Sequence, residues 1–172
     1  MKPQPPVTRI RTATASSSAA KVKHHTTATK DTKFATINEN DIAKLILDAA
    51  FLVHKKLGPG VFESVYEVVL AHELRKKGLF VERQNPMSIR YDGIQFDEAF
   101  RSDLVVNGKV VVELKSVAAL SDIHLKQLLT QLRLSGLKLG LLINFGAAHL
   151  KDGIKRVING QLEPAEISDL AL

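Results

Sequence analysis

The run Val110-Val111-Val112-Glu113-Leu114-Lys115 places a carboxylate and an ammonium two positions apart at the end of an apolar segment. Side chains alternate along a strand, so Val111, Glu113 and Lys115 share one face, and Val110, Val112 and Leu114 the other. Charges are costly to bury unless they are paired or bound to metal. For Glu-x-Lys alone the bland reading is a surface ion pair at a strand end. Asp103 shifts that balance, because the hairpin signal Asn107-Gly108 folds it back towards Glu113. A two-residue loop pairs Val106 with Lys109 and Asp103 with Val112, on the opposite face from Glu113. A loop of Val106-Asn107-Gly108, with a bulge at Gly108, pairs Val105 with Lys109. Asp103 then faces Val111, diagonal to Glu113 and within reach of a shared ion. The sequence permits both registers, and a site requires the second.

Two carboxylates that converge with no arginine between them are best relieved by a hard divalent cation, Mg²⁺ or Mn²⁺, bound through oxygen with waters retained. Such an ion polarises a phosphate oxygen and acidifies a bound water. Lys115 positions that water or offsets charge developing on the phosphate. Phosphodiester hydrolysis is the reaction these parts suit.

The elements that must hold these residues follow from periodicity. Asn40 is a suitable N-cap for a helix carrying Ile42, Leu45, Ile46, Ala49, Ala50 and Val53 at helical spacing, ended by Leu57-Gly58-Pro59-Gly60. A second helix over about 61–77 carries Phe62, Val65, Tyr66, Val69 and Leu74 on its buried side and stops at Gly78. Residues 80–84, 87–91, 95–106 and 109–115 read as extended, with turns at Asp92-Gly93 and Asn107-Gly108. Ser121 caps a third helix over 122–135, closed by Gly136. Residues 138–144 form a near-continuous apolar strand suited to cover on both faces, and 153–158 a last strand. The order predicts an α/β fold, a sheet flanked by helices.

At 172 residues and 45% hydrophobic, the chain suits one domain with a real core. It has no cysteine, which excludes a disulfide framework and a thiolate zinc site and suits a reducing, cytoplasmic setting. No apolar run approaches the ~20 residues of a membrane span, and the N-terminus lacks the apolar stretch of a secretory signal. Six of the 24 Lys and Arg lie in residues 1–30, which hold no acid, so 18 basic residues remain to balance all 18 acids. The net charge of +6 therefore belongs to the tail. Three parts are expected: a disordered, basic, Ser/Thr-rich tail over 1–36, the domain over 37–160, and a C-terminal extension over 161–172.

Gly60-Val61-Phe62-Glu63-Ser64-Val65-Tyr66, Arg101-Ser102-Asp103, Val112-Glu113-Leu114-Lys115 and the strand from Leu137 to Gly146 occur in order. Together they closely resemble the GxxExxY protein family, a branch of the PD-(D/E)XK nuclease superfamily, over roughly 38–160. The resemblance implies a restriction-endonuclease-like αβββαβ core with a mixed sheet. It implies Asp103 and Glu113 as metal ligands, Lys115 as the catalytic lysine, and Glu63 as the acid that the first core helix sends towards the metal. Gln127 matches the glutamine that related nucleases place near the site. Four residues later, where the family tends to have an aromatic, stands Gln131. His124 reads as part of a solvated helix face, and Tyr66 as a packing residue with a satisfied hydroxyl.

The reading is a Mg²⁺- or Mn²⁺-dependent nuclease acting on DNA or RNA; the alternative is a non-catalytic nucleic-acid- or partner-binding module that keeps the fold. A neutral domain in a chain with only 5% aromatics argues against a strong general nucleic-acid surface. Arg75, Lys76, Lys77, Arg83, Arg90 and Arg101 are the candidates for concentrated positive charge.

Overall fold

The computed structural model describes residues 37–162. The expected disordered tail over 1–36, and the extension from 163 onwards, lie outside the described residues. Helix α1 spans Glu39–Leu57, and its cap is Asn38 rather than Asn40. A cap residue needs extended backbone, which Asn38 has, and its Oδ1 accepts the Asp41 N–H at 2.9 Å. Ile42, Ile46, Ala49, Ala50 and Val53 form the buried stripe.

Helix α2 spans Glu63–Lys76 and buries Tyr66, Glu67, Leu70, Ala71 and Leu74. It begins two residues later than the sequence suggested. Phe62 is thus an extended cap residue and 84% exposed, while Val65 falls off the 66/70/74 stripe and is also exposed. Five strands follow: β1 Val81–Tyr91, β2 Ile94–Val106, β3 Val110–Lys115, β4 Leu139–Asn144 and β5 Ile154–Ile158. Helix α3, Asp122–Ser135, is the crossover that makes β3 and β4 parallel; every other neighbouring pair is antiparallel. The sheet order is β1-β2-β3-β4-β5. All six residues of β4 are buried, as the apolar run requires.

The result is three layers. Val110, Val112 and Leu114 join the core under α1 and α2, whereas Val111 joins Leu128 and Leu132 of α3 on the other face. The β2–β3 register is neither of the two expected. Val106 pairs with Val110, so Lys109 is the extra residue in the connection. Asn107 and Gly108 both take positive φ, 52° and 63°, and the Lys109 N–H donates to Val106 O. One step beyond the last pair, Leu104↔Val112, this register sets Asp103 opposite Glu113.

Alternation also breaks at this point in both β1 and β2. Val81 and Leu104 lie in the α1/α2 core. Met87, on the same parity as Val81, lies in the α3 core. Ser102, on the same parity as Leu104, bonds Met87 and Gln131 of α3. The change of phase falls at Gln84, whose φ is 50°, and at Asp103 across from it.

The turn before α2 is stapled in place. Tyr66 Oη donates to Gly58 O at 2.6 Å and accepts the Val61 N–H at 3.2 Å. Its ring stacks on Phe145, centroids 4.3 Å apart, and the Phe145 N–H donates to Lys115 O at 2.7 Å. Ser116 Oγ donates to Val61 O at 2.8 Å. After β4, Gly146 passes so close that a Cβ there would lie 2.5 Å from Val117 O, so only glycine fits. Tyr66→Phe strands a part-buried carbonyl and an amide while keeping the stack. It is expected to cost about 1–2 kcal/mol, seen as a lower urea midpoint at unchanged slope. A wild-type midpoint would show that the staple contributes nothing.

Candidate functional site

The β2–β3 ladder stops at Leu104↔Val112, and beyond it a side chain replaces backbone as acceptor: the Leu114 N–H donates to Asp103 Oδ2 at 2.8 Å. Glu113, 9% exposed, is partnered on both oxygens. Lys115 Nζ donates to its Oε1 at 2.7 Å and Gln131 Nε2 to its Oε2 at 3.1 Å. Gln131 is itself buried, and its Oε1 accepts from Ser102 Oγ at 2.9 Å. Lys115 Nζ also donates to Leu114 O at 2.9 Å and lies 3.9 Å from Glu63 Oε1. Glu63 is the first residue of α2, where the helix dipole favours an acid.

The two strand carboxylates are treated differently. Asp103 has one firm donor, Leu114 N–H, and a long one, Gln84 Nε2 at 3.4 Å from Oδ1. Burial, and then the Glu113 charge, push its carboxyl up to about 6, against the opposing pull of the Leu114 N–H and Lys115. Burial pulls the Lys115 ammonium down, but the Glu113 hydrogen bond and the charges of Glu113, Glu63 and Asp103 outweigh it and hold the lysine above its usual range.

Glu63, Asp103, Glu113 and Lys115 are therefore brought together at the carboxyl end of β3. Gln127 is not: it is exposed, and Gln131, one turn on, makes the contact with Glu113. The signal for Gln131 was its place between Leu128 and Leu132, which a solvated glutamine would not need. Glu67, one turn on from Glu63 in α2, is 5% exposed and held by Arg83 at 2.8 Å and Gln84 at 2.6 Å. Arg83 and Arg101, candidates for substrate charge, are already paired with Glu67 and Glu98. His124 completes the capping box of α3 with Ser121. Gln84 and Ser102 had no signal of their own in the sequence, because their roles come from neighbours on other strands and on the helices.

The family model of the PD-(D/E)XK nuclease superfamily matches residues 40–157. This chain belongs to the PD-(D/E)XK nuclease superfamily. No curated protein and no solved structure matches it. The superfamily's name spells the constellation found: an Asp, then an acid, any residue and Lys, here Asp103 and Glu113-Leu114-Lys115. Ser102 stands where that name has proline, and its hydroxyl makes the bond to Gln131 that a proline could not.

PD-(D/E)XK nucleases generally use divalent metals. Among the described residues no three acidic or histidine side chains are grouped closely enough to hold an ion by themselves. The donor set nonetheless fits a small hard cation that binds one or two carboxylates and keeps its waters. Asp103 and Glu113 offer oxygen only, and a cationic group, the Lys115 ammonium, already bridges Glu113 Oε1 and Leu114 O.

The raised Asp103 carboxyl has a consequence for stability. The folded state keeps a proton that the unfolded chain releases at lower pH. Its contribution is full below the ordinary aspartate value of 3.8 and lost as pH rises through about 6. In metal-free buffer, Asp103→Asn is expected to gain stability relative to wild type over that interval, followed by thermal melts at stepped pH. Parallel curves for the two proteins would contradict the burial of an uncompensated charge.

Proposed function

We propose that this protein is a divalent-metal-dependent nuclease that hydrolyses phosphodiester bonds of DNA or RNA, in the GxxExxY branch of its superfamily. The observation that carries the reading is the convergence of Glu63, Asp103, Glu113 and Lys115 at the carboxyl end of β3. Asp103 and Glu113 are the residues that hold the ion, Mg²⁺ or Mn²⁺, with Glu63 approaching from α2. When bound, the ion supplies Lewis acidity at a phosphate oxygen and a water acidic enough to attack phosphorus. Lys115 then turns its ammonium from Glu113 to the phosphate and offsets the charge that grows on its oxygens as the P–O bond breaks. Gln131 keeps Glu113 from rotating while its lysine partner is engaged elsewhere. Among the described residues no helix is long and apolar enough to cross a membrane; we assign the protein to the cytoplasm on its lack of cysteine.

A second reading has one observation in its favour. Lys115 neutralises Glu113 directly, and no three-ligand cluster is present among the described residues. That arrangement suits a domain that binds nucleic acid or a partner without cutting.

Incubation with plasmid, single-stranded DNA and RNA in Mg²⁺ or Mn²⁺ separates the two. The nuclease reading expects cleavage that EDTA abolishes. It expects Lys115→Ala and Asp103→Ala each to lose roughly 10²–10³-fold in rate. Cleavage that survives both substitutions sinks the assigned site, and metal-independent binding without cleavage favours the second reading.

A further inference from the structure

We propose that Gln84 is a positioning residue for the carboxylate site, held in a strained backbone conformation so that its side-chain amide fixes the orientation of Asp103. The proposal rests on the nuclease reading of that site, which it extends to a residue outside the superfamily signature.

Among the described residues, three besides glycine have positive φ: Gln84, Asp92 and Asn107. Asp92 and Asn107 stand in turns, each followed by a glycine, and their short polar side chains tolerate the left-handed region. Gln84 has neither excuse, for it lies inside strand β1 at φ 50°. A residue held there persists only when its surroundings over-determine it, and such residues cluster at functional sites.

What the conformation achieves is specific. Neighbouring strand residues point to opposite faces, yet Arg83 and Gln84 both reach Glu67 on α2. The left-handed residue is what turns Gln84 onto the same side as Arg83. One amide nitrogen then serves two carboxylates. It lies 2.6 Å from Glu67 Oε2 and 3.4 Å from Asp103 Oδ1. The short, charge-assisted bond to Glu67 locks the rotamer, and Arg83 at 2.8 Å locks Glu67 in turn. The second N–H is thereby aimed at Asp103. With Leu114 N–H on Oδ2 and Gln84 on Oδ1, both oxygens of Asp103 are oriented from behind.

The competing explanation is that Gln84 only satisfies the buried Glu67. It would then matter to stability and leave Asp103 untouched. Two variants separate the cases in the full-length protein. Gln84→Ala removes the amide and keeps the strain; Gln84→Gly removes the amide and accepts the backbone. Three quantities are read: the thermal midpoint, Mn²⁺ affinity by titration calorimetry, and hydrogen exchange at the Leu114 amide in metal-free buffer. The expected result is that Gln84→Gly melts above Gln84→Ala. Both should lose Mn²⁺ affinity by roughly tenfold or more, as supporting hydrogen bonds at metal sites do. In both, the Leu114 amide should exchange faster while Val111 and Val112 keep their protection. Wild-type Leu114 exchange and wild-type Mn²⁺ affinity in both variants overturn the proposal, and equal melting of the two variants overturns its claim of strain. If the unaltered protein binds no Mn²⁺ and cuts no nucleic acid, the nuclease reading fails, and Leu114 exchange alone decides on Gln84.

Discussion

Where the ladder between β2 and β3 ends, the Leu114 N–H turns to a carboxylate, Asp103 Oδ2, instead of a backbone carbonyl. A buried amide must find an acceptor, and here the acceptor carries charge. That substitution opens the sheet at the carboxyl end of β3 and brings Asp103 to the gap. The remaining features of the site follow from it. Asp103 is half-buried beside Glu113, β1 and β2 change phase at the Gln84/Asp103 pair, and Lys115 folds back on its own strand.

The two strand carboxylates divide the work because their partners differ. Glu113 has a lysine on one oxygen and a glutamine on the other, and that glutamine is itself fixed by Ser102. Low dielectric strengthens such a chain so long as every member is satisfied. Asp103 has one firm donor, one long one and an acidic neighbour, so it is the carboxyl whose charge burial and Glu113 disfavour.

The GxxExxY segment gains a physical meaning. Its tyrosine does not face the carboxylates; the hydroxyl ties Gly58 to Val61, and the ring stacks on Phe145, whose N–H holds Lys115 O. The turn that starts α2 and the residue that ends β3 are thereby tied to the same aromatic pair. Gly60, at φ 102°, lets the chain turn sharply enough for Glu63 to open the helix beside Lys115.

Much of this was legible in the residues. The apolar period of 42–53, the capping and closure of 122–135 and the doubly covered strand at 139–144 are local patterns, so the α/β order followed from them. Glu113 and Lys115 were legible because two charges at the end of a valine run need a reason. The hairpin register was not, since Asn-Gly fits several loops and the choice depends on which side chains the two cores accept. For the same reason it is Gln131, and not Gln127, that reaches Glu113. Composition and period set the chemistry available at the end of β3. Only the tertiary structure decided which neighbours complete it, because Gln84 meets Asp103, and Gln131, held by Ser102, meets Glu113, across strands and layers that no local spacing encodes.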